Sequence, residues 1–365
     1  MKTMTMVGAL AATMISTVPP ASARELVYGT YVPPQHESVE YGAKLLQQRL
    51  PEETNGELTY KIFTGGTMGG AKEALESVRG GVVDSSNIVD IYFRADLPVT
   101  TTLSSLLIMP DDPRVYVAAM NEVNLLHCPA CEEERRKNRI VGIAWTGAAN
   151  YYLLCNKPAS TLAELEGKKV RAASRMGVLA QSMGAVPVSI SAGEIYEALQ
   201  RGQLDCVLGS AAWLDGYSLK DFVTHIVTVP MGAYFGSILM NLGQDTWEDL
   251  TDAQKQAFWT IAPEVIANVM TNYMRENQKT LDEAAQNGVE LNEGGADLVA
   301  LVAEARANEW QAVADEARSQ NIAGADEAIQ AFKTSVEKWE RIIAEIGDDQ
   351  AAYQKALWDE IFSKM

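Results

Sequence analysis

Two constellations in the sequence carry chemistry that a backbone cannot supply. One is Arg171, at the end of the stretch Lys168-Lys169-Val170-Arg171-Ala172, which reads as a strand. Open parallel sheets take their ligands at such strand ends, and a guanidinium there grips a carboxylate through two parallel hydrogen bonds. The competing reading is an ion pair on a lobe surface. The other constellation is Cys128-Pro129-Ala130-Cys131, whose spacing suits a local disulfide, a redox pair or half a zinc site. A redox pair requires the motif to cap a helix beside a strand. Here it follows a helical segment and precedes the charged run Glu132 to Arg139, which is the wrong context. A zinc site requires a second pair of ligands, and the four cysteines and three histidines supply no second C-x-x-C and no H-x-H. A Cys128-Cys131 bridge is the simplest outcome, while Cys155 and Cys206 are left open, free or paired.

Nothing else reads as a reaction centre. There is no Ser/His/Asp order, P-loop, Gly-rich dinucleotide turn or paired-carboxylate motif in convincing context, so no catalytic residue, metal or cofactor is expected. The chain of 365 residues has 30 Lys and Arg against 48 Asp and Glu, a formal net charge of -18. Such a surface repels nucleic acid and anionic membrane. It also repels an anionic solute at long range, so an anion site needs its own local cation. Residues 1–23 read as an export signal: Lys2, an uncharged stretch from Thr3 to Val18, then Ala21-Ser22-Ala23 as the cleavage site. Thiols in an exported chain tend to be oxidised.

The elements that must position Arg171 alternate. Leu26 to Tyr28 and Leu58 to Phe63 look like strands around a segment with Val39, Ala43, Leu46 and Leu50 at helical spacing. A second helix carries Ala71, Leu75 and Val78, and the apolar run Ile88 to Ile91 follows. After a helix from about Arg114 to Leu126, strands Ile140–Trp145 and Asn150–Cys155 mark a first crossing between lobes. Then come helix Thr161–Leu165, strand Lys168–Ala172, helix Met176–Met183, strand Val186–Ile190, helix Ala192–Arg201 and strand Leu204–Leu208. This alternation predicts a largely parallel sheet covered by helices. The strand Gly236–Leu242 returns to the first lobe, and a helix from Thr251 to about Asn287 is long enough to lie across both, with Pro263 expected to kink or divide it. The rest, from Ala296, is helical.

The ordered fragments Leu165-Glu166-Gly167-Lys168-Lys169-Val170-Arg171, Gly184-Ala185-Val186-Pro187 and Glu194-Ile195-Tyr196-Glu197-Ala198-Leu199-Gln200-Arg201-Gly202-Gln203-Leu204-Asp205 resemble the signature of substrate-binding proteins of tripartite ATP-independent periplasmic (TRAP) transporters, the DctP type. Thr54 to Glu57, Gly69 to Ala74, Val78 to Asp84, and Asn241 with Trp247 and Leu250 are similar to other parts of that pattern, so the likeness runs from about Leu26 to Phe258. The resemblance implies an α/β fold of two lobes joined by hinge strands and a long lobe-spanning helix. Residues 24–148 would form the first lobe, with about 237–276 returning to it. Residues 149–236 would form the second, with part of 277–330, and 331–365 would be C-terminal helices. It implies an exported periplasmic receptor, not an enzyme, acting as a monomer. The receptor closes over a small organic acid and hands it to a small and a large membrane subunit.

In the family the arginine in the place of Arg171 binds the ligand carboxylate. The family's D-G-Q-E-N-P run is Asp205-Cys206-Val207-Leu208-Gly209-Ser210 here, so Gly209 replaces an asparagine that often reaches the ligand. Ala192 replaces a common aromatic, and Tyr151 falls where many members carry a second arginine. These departures predict a less polar pocket with one carboxylate anchor, suited to an aromatic or short aliphatic monocarboxylate. Trp213, just beyond Ser210, and Tyr31, Trp145 and Tyr234 fall near segments expected to border the cleft. Glu73 matches a family glutamate that either binds a ligand hydroxyl or favours a helix N-terminus. His36 and Arg175 complete the candidate contacts. Two other readings stay open: a periplasmic thiol-disulfide oxidoreductase using Cys128 and Cys131, and a binding protein that feeds a sensor.

Overall fold

A computed structural model describes residues 23–365, so the expected export signal falls almost wholly outside the described residues. The chain opens as a β-α-β unit: β1 (Arg24–Gly29), a helix wound as π turns over Ser38–Ala43 and as α over Lys44–Glu53, and β2 (Leu58–Phe63). β1 takes β2 on one side and β3 (Ser85–Ser86) on the other, both parallel. β4 (Ile88–Val89) and β5 (Ile140–Thr146) follow, and the chain then enters a second sheet through β6 (Tyr151–Cys155). That sheet is completed by β7 (Lys169–Arg171), β8 (Val186–Val188), β9 (Cys206–Ser210) and β10 (His225–Val227). β11 (Ser237–Gly243) returns antiparallel between β4 and β5, and β12 (Glu290–Asn292) caps the edge of the second sheet beside β10.

The expectation of a largely parallel sheet holds in part. β7 is parallel to β8 and β9, and β10 and β12 also pair in parallel, but β6 runs antiparallel to β9 and β10. The crossing strands β6 and β11 each enter a sheet from the other half of the molecule, a direction that local alternation does not encode. The short strands β10 and β12 were not legible, and the strand expected at 204–208 lies two residues later, as β9.

Apolar side chains form two cores. One gathers Leu26, Leu58, Ile143, Trp145 and Ile238; the other gathers Leu153, Val170, Leu179, Ile195 and Leu208. The helix Asp252–Ala284 serves both, giving Phe258, Ile261 and Val265 to the first and Tyr273 and Leu281 to the second. Its 33 residues span roughly 50 Å at ~1.5 Å each. Its start is a capping box, in which Thr251 Oγ1 accepts from Gln254 N and Gln254 Oε1 accepts from Thr251 N. Pro263 does not divide it. A buried row of Ile261, Ala262, Val265 and Ile266 around the proline offsets the missing backbone donor. The helix Ala296–Ser319 also crosses the seam, with Leu298 and Val302 in the second core and Val313 in the first. The C-terminal helices Ala325–Ile346 and Gln350–Glu360 join the first core through Phe332, Trp339, Tyr353 and Leu357. Among the described residues no helix is long and apolar enough to cross a membrane.

All four cysteines are paired: Cys128 with Cys131, as expected, and Cys155 with Cys206, directly opposite each other on β6 and β9. The local context expected for Cys128 is corrected. It stands at the N-cap of the helix Pro129–Lys137, so the charged run is that helix itself. Both sulfurs are nevertheless buried.

Candidate functional site

Within the second core, which also takes in Tyr31, Val32, Val89 and Leu107 from the segments around β1 and β4, residues from both halves of the chain surround about 640 Å³ of atom-free space, counted to its mouth.

Arg171 is the last residue of β7 and is 3% exposed. Its Nε donates to the Ile190 carbonyl at 3.1 Å and its Nη2 to the Tyr92 hydroxyl at 3.2 Å. Its Cζ lies 5.7 Å from the ring centroid of Trp213, close enough for a cation-π contact. Among the described residues no carboxylate pairs with it, and of those lining the cavity it alone carries a formal charge at neutral pH. A buried cation without a counter-ion is costly, and an anion in the cavity would supply the partner.

Around it stand phenols. Burial raises the hydroxyls of Tyr31, Tyr151 and Tyr217 above the ordinary tyrosine range, and the Arg171 charge opposes that only in part. They therefore stay neutral and can donate to an anion. Trp213 sits over Gly209, where a Cβ would fall 2.4 Å from the indole. The glycine that departs from the family pattern is what makes room for the aromatic wall. The indole Nε1 donates to the Tyr273 hydroxyl at 2.5 Å, and the Tyr151 ring meets it edge-on at 5.3 Å.

His36 lines the opposite part of the wall. Burial lowers its pKa to about 3, so it is neutral. Its Nδ1 accepts from Ser38 N at 3.1 Å, which assigns the ring proton to Nε2. Behind the lining, burial pushes Glu37 and Asp90 up to about 8. Tyr234 donates to Asp90 Oδ1 at 2.9 Å and accepts from Asp90 N at 3.1 Å, so its hydroxyl is spent and its ring is the surface it offers.

Of the residues singled out from the sequence, Arg171, Tyr151, Trp213, Tyr234, Tyr31 and His36 line the cavity. Three candidates and one bordering residue do not. Arg175 gives its Nε and Nη2 to Glu309 at 2.8 and 2.7 Å and its Nη1 to Glu316 at 2.9 Å, so its fork is already filled. The Ser210 hydroxyl is spent on Asn277 Oδ1 at 2.7 Å. Glu73 is exposed at the start of the helix Ala74–Arg79, where it favours the helix end. Trp145 is fully buried in the first core beneath Arg135. Sequence reasoning missed Tyr92, Tyr217, Tyr273 and Asn87, which also line the space. Tyr92 had a usable signal, since it closes the apolar run Ile88 to Ile91 as Arg171 closes its strand.

The fold and this cavity define a two-lobed solute-binding protein. The chain belongs to the DctP family, bacterial extracellular solute-binding protein family 7, whose model matches residues 28–319. The family is one of transport receptors and not of enzymes, and neither alternative reading gains support from it. The uncharacterized protein YiiZ of Salmonella typhimurium is 27% identical over 164 residues, 44% of this chain and 49% of its own length, so the chain spans about half of that relative. The 2,3-diketo-L-gulonate-binding periplasmic protein YiaO of Escherichia coli is 25% identical over 283 residues, 74% of this chain and 81% of its own length. A marine metagenome TRAP solute-binding protein from an unidentified microbe, specific for aromatic acid ligands and solved with metahydroxyphenylacetate, superposes with a TM-score of 0.74 at 19% identity. That match covers 86% of this chain and 99% of the other.

Proposed function

We propose that this chain is the periplasmic receptor of a TRAP transporter, a monomer that captures a small monocarboxylate in the cavity between its lobes. The reading rests on Arg171, a buried guanidinium with no acid partner among the described residues, at the wall of a cavity otherwise without formal charge. Binding shifts the population toward the closed form, because only that form lets both lobes touch the solute. The closed receptor then docks on the small and large membrane subunits.

An aromatic or short aliphatic acid suits the wall better than a polyhydroxylated one. Tyr234 and Trp213 have spent their polar atoms on protein partners, and Gly209 removes an amide. A sugar acid such as the one named for YiaO brings more polar groups than its carboxylate, and each one left without a partner costs about 1–3 kcal/mol. A thermal-shift titration of the mature chain tests this. Metahydroxyphenylacetate or butyrate at 100 times its Kd should stabilise the fold by about 2.7 kcal/mol, read as a rise in Tm. A rise with 2,3-diketo-L-gulonate and none with metahydroxyphenylacetate or butyrate would overturn the preference for an aromatic or short aliphatic acid.

A further inference from the structure

We infer that Tyr92 is a second ligand-binding residue, one that donates to the same carboxylate as Arg171 and so lets the acid group join the two lobes. The inference rests on the proposed function and adds a residue that the family signature did not mark in this sequence.

The argument starts from the valence of a phenol. Its oxygen accepts two hydrogen bonds and its single proton donates one. The Tyr92 oxygen accepts from Arg171 Nη2 at 3.2 Å and from the Ala192 backbone N–H at 3.0 Å. Both acceptor positions are filled. Among the described residues nothing accepts its proton, although the residue lines the cavity. Arg171 is in the matching condition. Nε and one N–H of Nη2 are spent on Ile190 and Tyr92, leaving the N–H groups of Nη1 and the other N–H of Nη2 to pair with an acid. A carboxylate has two oxygens and about four acceptor positions, more than one such pair uses. An acid held by Arg171 lies beside the Tyr92 oxygen and takes its proton as a further, charge-assisted donor.

The two residues come from different halves of the molecule. Tyr92 ends the turn Asp90–Tyr92 after β4, a strand of the sheet whose Ile88, Ile143 and Ile238 belong to the first core. Arg171 and Ala192 belong to the second sheet and its following segments. The hydroxyl therefore reaches across the seam. Among the described residues its hydrogen-bond partners are Arg171 Nη2 and the Ala192 N–H. With an acid present the three-way contact is complete, and closure reports the carboxylate itself, whatever the body of the ligand.

The test compares wild type, Tyr92→Phe and Arg171→Ala by calorimetry with metahydroxyphenylacetate and with butyrate, and by small-angle scattering at saturating acid. The expected result for Tyr92→Phe is a Kd raised on the order of 10- to 100-fold, as for loss of a hydrogen bond to a charged group. Its acid-free Tm should fall, since Arg171 Nη2 and the Ala192 N–H lose their acceptor, but its acid-induced rise in Tm should shrink as well and its acid-saturated scattering should be more open. A Kd equal to wild type overturns the inference. So does an acid-free Tm that falls while the acid-induced rise is unchanged, because that is the mark of a purely structural tyrosine. If wild type binds neither acid, the proposed solute class falls and takes the inference with it. If wild type binds and only Arg171→Ala loses binding, Tyr92 alone is refuted.

Discussion

Arg171 and Arg175 are four residues apart on one segment of the second lobe, both are buried, and they live in opposite electrostatic conditions. Arg175 meets Glu309, which is 2% exposed, and Glu316, which also accepts from Arg94 of the first lobe. Arg171 meets a carbonyl, a phenol and an indole. The first is paired with two carboxylates, while among the described residues the second makes no hydrogen bond or ion pair to any. Charge and burial alone therefore do not distinguish a ligand anchor from a structural clamp. What distinguishes them is whether the protein itself supplies the counter-ion.

The contrast can be broken most directly at the arginines. Arg171→Ala is expected to weaken acid binding on the order of 1,000-fold, about 4 kcal/mol, while leaving the fold intact. Arg171→Lys should fail nearly as badly because a point charge does not reproduce the fork. Arg175→Ala should do the reverse. Truncating it leaves Glu309 buried without its cation, which costs about 3–5 kcal/mol in urea unfolding, and protein that remains folded should keep its Kd within a few-fold. If the two variants exchange effects, the comparison is wrong.

A smaller change sharpens the Arg171 side. Gly209→Ala places a methyl group 2.4 Å from the Trp213 indole, so the ring must move off Arg171. Overpacking of this kind costs about 1–3 kcal/mol of stability. Affinity for an aromatic acid should fall more than for butyrate, as paired titrations would show.

The smallest effect concerns the wall behind Tyr234. Burial holds the Asp90 carboxyl up at about 8, opposed in part by hydrogen bonds from Ser104 and Tyr234. A raised folded pKa means that the native state keeps a proton which the unfolded chain releases above about pH 4. Stability therefore falls as pH rises toward 8 and levels off beyond it. Asp90→Asn removes this slope. Between pH 7 and 8 the variant should gain about 1 kcal/mol on wild type, and parallel stability curves would show that the carboxyl does not titrate there. His36 and Glu37 titrate in both proteins and cancel in the difference.

The sequence made much of this visible because β-α-β units are written locally. The strands at 58–63 and 140–145, the helix starting at Met176 and the helix from Thr251 onward all appear where hydrophobic spacing put them. Arg171 was legible because a strand end fixes where a side chain goes. Arg175 and Ser210 do not line the cavity because partners far along the chain, Glu309 and Asn277, take their side chains, while Glu73 stays exposed at a helix start. Tyr273 lies on a helix that touches both cores, and helical spacing does not say which of them a given side chain faces. The antiparallel direction of β6 was hidden for the same reason, since it is set by the route between lobes.

The bridge between Cys155 and Cys206 rivets the strand that brings the chain into the second lobe to the strand leading toward Trp213. Those two strands must travel as one plate. Flexing is thereby left to the short spans around Gly147–Asn150 and Met231–Gly236. The backbone ladder from Tyr151–Ser210 to Cys155–Cys206 holds the same plate without the bridge, so the covalent tie locks the far end of a pairing that already carries the aromatic wall.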